Sequence, residues 1–149
     1  MLNKDYKDIL SVLSKKEVKF ILVGAYAMAV QGYPRSTMDI DLWVMPDPKN
    51  ALLVLQALHE FGAPAGDLSP EDLQKEDLIF QIGVAPRRID IITSADGLVF
   101  NDAYANSEII EIEGISVRVL SISDLIKNKR STGRLKDLAD AEVLEKPHE

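Results

Sequence analysis

Three aspartates, Asp39, Asp41 and Asp90, lie within short apolar stretches of the chain. Asp39-Ile40-Asp41-Leu42 reads as part of a strand, and Asp90 is bracketed by Ile89 and Ile91. Side chains alternate between the two faces of a strand, so Asp39 and Asp41 project together while Ile40, Leu42 and Val44 project the other way. Carboxylates held that close repel one another, and desolvating them is costly. A divalent cation is the usual compensation, and an all-oxygen donor set suits Mg²⁺ or Mn²⁺.

The elements that would position these acids can be read from the chain. Asn3 is a plausible cap for a helix over residues 3–16, with Tyr6, Ile9, Leu10 and Leu13 at helical spacing. Residues 19–23 (KFILV) form a buried strand ending at Gly24, and residues 25–31 favour a helix that Gly32 ends. A loop over 34–37 leads into the carboxylate strand, 38–45, which Pro46 stops. Asp47 could cap a helix over 47–61, with Gly62 at its end. Ser69-Pro70-Glu71-Asp72 is a helix-start signal. Strands are expected over 78–84 and 88–93, and a short helical stretch over 97–106. A hairpin turning near Gly114 joins 108–113 to 115–120. Ser121 or Ser123 caps a helix to about Arg130, and a last helix covers 134–145. With no repeat or linker, the expectation is one domain over residues 1–149, of the α+β class with a mixed sheet.

Gly24 therefore sits between a strand and a helix. Backbone N–H groups at a helix N-terminus bind anions, and glycine lets a phosphate come close. Two carboxylates on the next strand and a third from a later one fit phosphoryl-type transfer with two metals, one activating the attacking oxygen and one holding the triphosphate.

Gly24-Ala25, Asp39-Ile40-Asp41 and Ile89-Asp90-Ile91 together resemble the nucleotidyltransferase superfamily of DNA polymerase beta. The stretch from Val23 to Val44 is most similar to the small bacterial branch related to AbiEii-type toxins and other minimal nucleotidyltransferases, and residues 134–140 resemble the C-terminal helix of that branch. The resemblance covers most of residues 20–142. It implies a mixed sheet with helices mainly on one face and the active cleft on the other. It makes Asp39 and Asp41 ligands of both ions, Asp90 the third ligand on the nucleophile side, and Gly24 with Ala25 the phosphate-binding turn. Ala25 is a departure from the commoner Gly-Gly or Gly-Ser turn: it keeps the backbone donor but lacks a hydroxyl.

Further residues could serve the phosphates. Arg35 and Ser36 precede the carboxylate strand, although Ser and Thr in such a loop commonly bond their own backbone. Lys127, Lys129, Arg130, Arg134 and Lys136 form a basic cluster. It reads either as a solvated helix face or as a triphosphate clamp, with Lys129 and Lys136 the expected contacts. Asp137 reads as a partner of the neighbouring cations, and Asp140 as facing solvent or capping. Trp43 shares the parity of Asp39 and Asp41; it is expected to pack under a helix, with base stacking the alternative. His59 and His148 have no partner at metal-binding spacing.

Composition limits the partners. The chain has 149 residues, 46% hydrophobic and 28% charged, a globular balance. It has no cysteine, which excludes thiolate metal sites and cysteine nucleophiles and fits a reducing, cytoplasmic setting. No apolar run approaches the ~20 residues of a membrane span. The net charge of −7 argues against non-specific binding to duplex nucleic acid, whereas one basic patch on an acidic protein suits a small anionic ligand such as an NTP. The expected activity is transfer of a nucleoside monophosphate from an NTP to an RNA end, a protein or a small molecule, with a partner protein such as an antitoxin as one setting. The alternatives are a non-catalytic nucleotide-binding or interaction module and a metal-dependent phosphohydrolase.

Overall fold

The computed structural model describes residues 2–33, 39–84 and 87–146. Six strands form one sheet, and their pairing explains how chemistry from distant parts of the sequence meets. Helix α1 (Lys4–Lys15) opens the chain, with the Asn3 side chain accepting a bond from the Tyr6 N–H. Its Tyr6, Ile9, Leu10 and Leu13 are buried, the i, i+3, i+4, i+7 stripe that drives an amphipathic helix onto a core. Strand β1 (Phe20–Val23) is buried along its whole length and passes without a loop into α2 (Gly24–Val30). Strand β2 (Ile40–Val44) pairs antiparallel with β1, placing Val23 opposite Asp41.

After β2, Asp47 caps α3 (Pro48–Phe61) through its side chain, with Pro48 at the first helical position and Gly62 in the left-handed conformation at the end. The start signal at Ser69 yields only one 3₁₀ turn, Asp72–Gln74. Ser69 and Asp72 cap each other reciprocally there. Strands β3 (Ile79–Ile82) and β4 (Ile89–Ile92) are antiparallel neighbours, and β4 runs parallel to β2 with Asp90 opposite Asp41. Helix α4 (Phe100–Asn106) follows.

Strands β5 (Glu108–Ile112) and β6 (Ile115–Val119) make the expected hairpin, turning through Glu113 and Gly114, both at positive φ as a tight two-residue turn requires. β6 lies parallel to β1. The last helices are α5 (Ile122–Thr132), capped by Ser121, and α6 (Leu135–Glu145), joined by Gly133 at φ +72°. The order across the sheet is β3-β4-β2-β1-β6-β5. It is mixed and α+β, as expected, with the helices mainly on one face and the cleft on the other.

The two faces of β2 show why. Ile40, Leu42 and Val44 are fully buried in the core that α1 and α3 close. Asp41 and Trp43 point the other way. Trp43 is itself buried: the Phe100 ring of α4 covers it edge-on at 5.2 Å, so α4 closes one end of the carboxylate face. Packing under a helix, not an open stacking position, is thus the observed state of Trp43. Among the described residues no helix is long and apolar enough to cross a membrane.

Candidate active site

Parallel pairing of β2 with β4 sets Asp41 and Asp90 directly across from each other, although 48 residues of chain lie between them. Asp39 stands one residue before β2 begins, at the mouth of the cleft, with its side chain 33% exposed. Asp90 is buried and Asp41 half-buried. All three line one cleft of about 580 Å³, together with Gly24 and Ala25 on one side and residues of α5 and α6 on another. That volume falls in the range of small-ligand sites, roughly 300–1,000 Å³.

Crowding of like charge has an electrostatic consequence at Asp41. Its carboxyl is pushed up to about 7, first by burial, then by the Asp90 charge, a hydrogen bond with Asp90 and the Asp39 charge, with Arg88 acting in the opposite direction. Near neutral pH the trio thus holds a proton it would surrender to a stronger positive charge. The Tyr6 hydroxyl, 3.3 Å from the Arg88 carbonyl oxygen to which it donates, is pushed up to about 12 by burial and by the nearby Asp39, Tyr26 and Asp41 groups.

Gly24 is required where it stands. Its φ is +74°, and a Cβ at this position would lie 2.4 Å from Asp41 Oδ2. The turn and the carboxylate are therefore in direct apposition, and any side chain at residue 24 would push Asp41 aside. Ala25 also lines the cleft.

Arg88 is the cation that reading the sequence overlooked. Its Nε donates to Asp90 Oδ1 at 2.8 Å and its Nη2 to Asp90 Oδ2 at 3.2 Å. Nη2 also lies 3.4 Å from Asp39 Oδ2, and the Arg88 backbone N–H donates to Asp39 Oδ1 at 3.0 Å. The signal was available: Arg88 is two residues before Asp90, so the alternation that pairs Asp39 with Asp41 also pairs Arg88 with Asp90.

The basic cluster is arranged differently from a row of free cations. Lys129 lines the cleft yet is buried, its ammonium 3.3 Å from Asp137 Oδ1 and 3.2 Å from Asp140 Oδ2. Asp140 is thus buried and ion-paired, not solvent-facing as expected: it sits on the face of α6 that packs on α5, where an uncompensated lysine would be costly. Asp137 also accepts from Thr132 Oγ1 at 2.7 Å and Arg134 Nε at 2.8 Å. Burial works to raise this carboxyl, but the bonds from Thr132, Lys129 and Arg134 together hold it below its ordinary value. Arg130 pairs with Glu145, away from the cleft lining. Lys136, by contrast, is exposed on the cleft wall and makes no ion pair among the described residues. Arg35 and Ser36 lie outside the described residues.

As a donor set, three converging aspartates match the hard oxygen ligands of Mg²⁺ and Mn²⁺, and the raised Asp41 shows a site short of positive charge. Among the described residues no three acidic or histidine side chains stand at separations that would already hold one ion. Arg88 bridges Asp39 and Asp90 instead. The chemistry of the residues fits a divalent cation.

Comparison with known proteins agrees with this architecture. A candidate nucleotidyltransferase from Thermotoga maritima, TM1012, superposes with a TM-score of 0.61 at 19% identity, over 97% of this chain and 92% of that one. ANT(2″)-Ia, solved in complex with adenylyl-2″-tobramycin, superposes with a TM-score of 0.56 at 16% identity, over 93% of this chain and 84% of that one. At such identities the likeness is one of fold. No curated protein matches in sequence. Residues 2–145 match a family described as nucleotidyltransferase of unknown function. With nearly its whole length inside that match and its fold shared with TM1012, the chain belongs to the DUF6036 nucleotidyltransferase family.

Proposed function

We propose that this protein transfers a nucleoside monophosphate from an NTP to an acceptor, in a reaction dependent on Mg²⁺ or Mn²⁺. The observation that carries the reading is the register of β2 on β4, which sets Asp41 against Asp90 with Asp39 at the mouth and the Gly24 turn against Asp41 Oδ2. Two ions held by Asp39, Asp41 and Asp90 would supply charge for the triphosphate and acidify the attacking hydroxyl.

The chain's own groups do the rest. Gly24, with no side chain, leaves the start of α2 open for a phosphate to approach the N–H groups of the turn, including that of Ala25. Lys136 contributes a free ammonium to the cleft wall, where it would meet the outer phosphates. Lys129 acts one step back, holding α6 to α5 through Asp137 and Asp140 and so fixing the wall that carries Lys136. Arg35 and Ser36 remain candidates for phosphate contacts from the preceding loop. The Asp41–Asp90 face is the part of the site that would accept the proton of an attacking hydroxyl.

An acceptor of modest size suits a cleft of about 580 Å³. A fold relative in complex with a nucleotidylated aminoglycoside supports a small molecule, although an RNA end or a protein side chain presented by a partner fits the same chemistry. A toxin–antitoxin pairing and a cytoplasmic setting are part of this proposal on the strength of the sequence resemblance and the cysteine-free composition.

The test is incubation of the purified protein, Mg²⁺ and extract with α-labelled and, separately, γ-labelled NTPs. Transfer predicts α-label on an acceptor and release of pyrophosphate, both lost in Asp41→Asn. Free phosphate from the γ-label without acceptor labelling would indicate a phosphohydrolase. The second reading, a non-catalytic nucleotide-binding module, draws on Arg88 neutralising Asp39 and Asp90; it predicts nucleotide binding with neither product.

A further inference from the structure

A single cross-strand row runs through the site and continues past it. Val23 pairs with Asp41, Asp41 with Asp90, and Asp90 with Gln81 of β3. Directly paired residues on neighbouring strands share a face of the sheet, so Gln81 projects on the carboxylate side, beyond Asp90. The same register sets Ile79 opposite Ile92, and both line the cleft. Phe80 and Ile82 alternate to the other face and pack against the core. On the cleft face Gln81 is exposed, with no side-chain hydrogen bond among the described residues, and Ile79 is 60% exposed. β3 is the edge strand of the sheet, where an open apolar side chain is a liability unless something covers it.

We propose that the cleft face of β3 is the acceptor subsite: Gln81 bonds a polar group beside the reacting hydroxyl, and Ile79 packs against an apolar part of the same molecule. This inference deepens the proposed transfer and rests on it. In such a transfer the attacking and leaving oxygens stand on opposite sides of the phosphorus, roughly in line. The leaving pyrophosphate belongs with the Gly24 turn, at the Val23–Asp41 end of the row. The attacking oxygen therefore arrives from the opposite end, over Asp90 and β3. It bonds the α-phosphorus as the bond to pyrophosphate breaks, and its proton passes to the Asp41–Asp90 face. Paired strands lie ~4.8 Å apart, so Gln81 stands one strand beyond Asp90, within a side chain's reach of an atom next to the attacking oxygen.

The residue types suit that place. A glutamine amide both donates and accepts, and being neutral it engages a hydroxyl or amide without competing for the cations that serve the carboxylates. Ile79 extends the apolar surface of Ile92 and Ala95 along the same wall. The acceptor this end takes thus carries an uncharged polar group beside its reacting hydroxyl and an apolar face next to it. Because β3 is an edge, a longer acceptor can extend past it into solvent.

The experiment measures label transfer from α-labelled NTP, with Mg²⁺, to serial dilutions of cell extract, in wild type, Gln81→Ala and Ile79→Ala. Each protein is also titrated with NTP at fixed extract. The amount of extract giving half-maximal labelling should rise about three- to tenfold in Gln81→Ala, the worth of one hydrogen bond. In Ile79→Ala it should rise about threefold or more through lost apolar contact. Half-saturating NTP should stay as in wild type for both. Where Gln81→Ala does not give a cooperative unfolding transition, Ile79→Ala carries the comparison by the same criterion. Half-maximal extract unchanged in the variants, or raised no more than half-saturating NTP, with wild type still labelling an acceptor, would overturn the acceptor subsite and leave the transferase reading intact. Wild type that labels no acceptor in the extract would overturn both.

Discussion

Asp41→Asn should make the metal-free protein more stable, by an amount that depends on pH in a defined direction. In the folded chain the Asp41 carboxyl is pushed up to about 7, against 3.8 for an unperturbed aspartate. Between those two values the folded state binds more protons at this site than the unfolded state does. Stability therefore falls as pH rises through this window, and the full penalty is present above about pH 7. At roughly 1.4 kcal/mol per pKa unit, keeping Asp41 charged costs the folded state up to ~4 kcal/mol. Solvent at the cleft mouth screens part of this, so a difference of ~2–4 kcal/mol is expected at pH 8. Asparagine has almost the same shape and occupies the space beside Gly24 without the charge. The assay is urea unfolding in EDTA of wild type and Asp41→Asn at pH 5 and at pH 8. The difference between the two proteins should be ~1–2 kcal/mol at pH 5 and grow by a further ~1–3 kcal/mol at pH 8, in favour of the variant. Comparing the two proteins at each pH cancels every other titrating group that the substitution leaves alone. A difference that does not change with pH, or that grows in favour of wild type, would refute the claim that Asp41 is strained by burial and by Asp90.

Other substitutions separate the roles assigned along the cleft. Gly24→Ala places a Cβ 2.4 Å from Asp41 Oδ2 at φ +74°; it should cost ~1–3 kcal/mol in urea unfolding and abolish transfer. Lys129→Met leaves Asp137 and Asp140 buried without their shared cation and should cost ~3 kcal/mol or more, read as a lower unfolding midpoint. Lys136→Ala should leave the unfolding midpoint unchanged and weaken NTP binding measured by calorimetry; unchanged affinity would remove Lys136 from the site. Phe100→Ala should lower stability by ~3 kcal/mol through loss of the ring that covers Trp43 and should raise Trp43 fluorescence quenching by acrylamide.

The fold was legible wherever local chemistry agreed with tertiary need. Asn3, Asp47 and Ser121 announced their helices because each side chain meets a donor three residues on, and Gly114 announced the hairpin because the turn needs positive φ. The region after Ser69 promised more helix than exists: reciprocal capping by Ser69 and Asp72 needs only one turn, and the chain then leaves for β3. At the site, strand parity predicted that Asp39 and Asp41 share a face, and the apolar flanks of Asp90 placed it on a second strand. What parity cannot supply is register across strands: that Asp41 meets Asp90 is a property of the β2–β4 pairing. The Lys129 network was hidden for a related reason. A run of basic residues looks like a solvated face until two aspartates on the following helix are folded back onto it, which depends on the angle set at Gly133.

The most direct measurement is the anomalous difference map of crystals grown with Mn²⁺ and a non-hydrolysable NTP analogue. The account predicts manganese peaks bounded by Asp39, Asp41 and Asp90, with the triphosphate lying along the Gly24-Ala25 turn. Manganese and nucleotide bound elsewhere would contradict it.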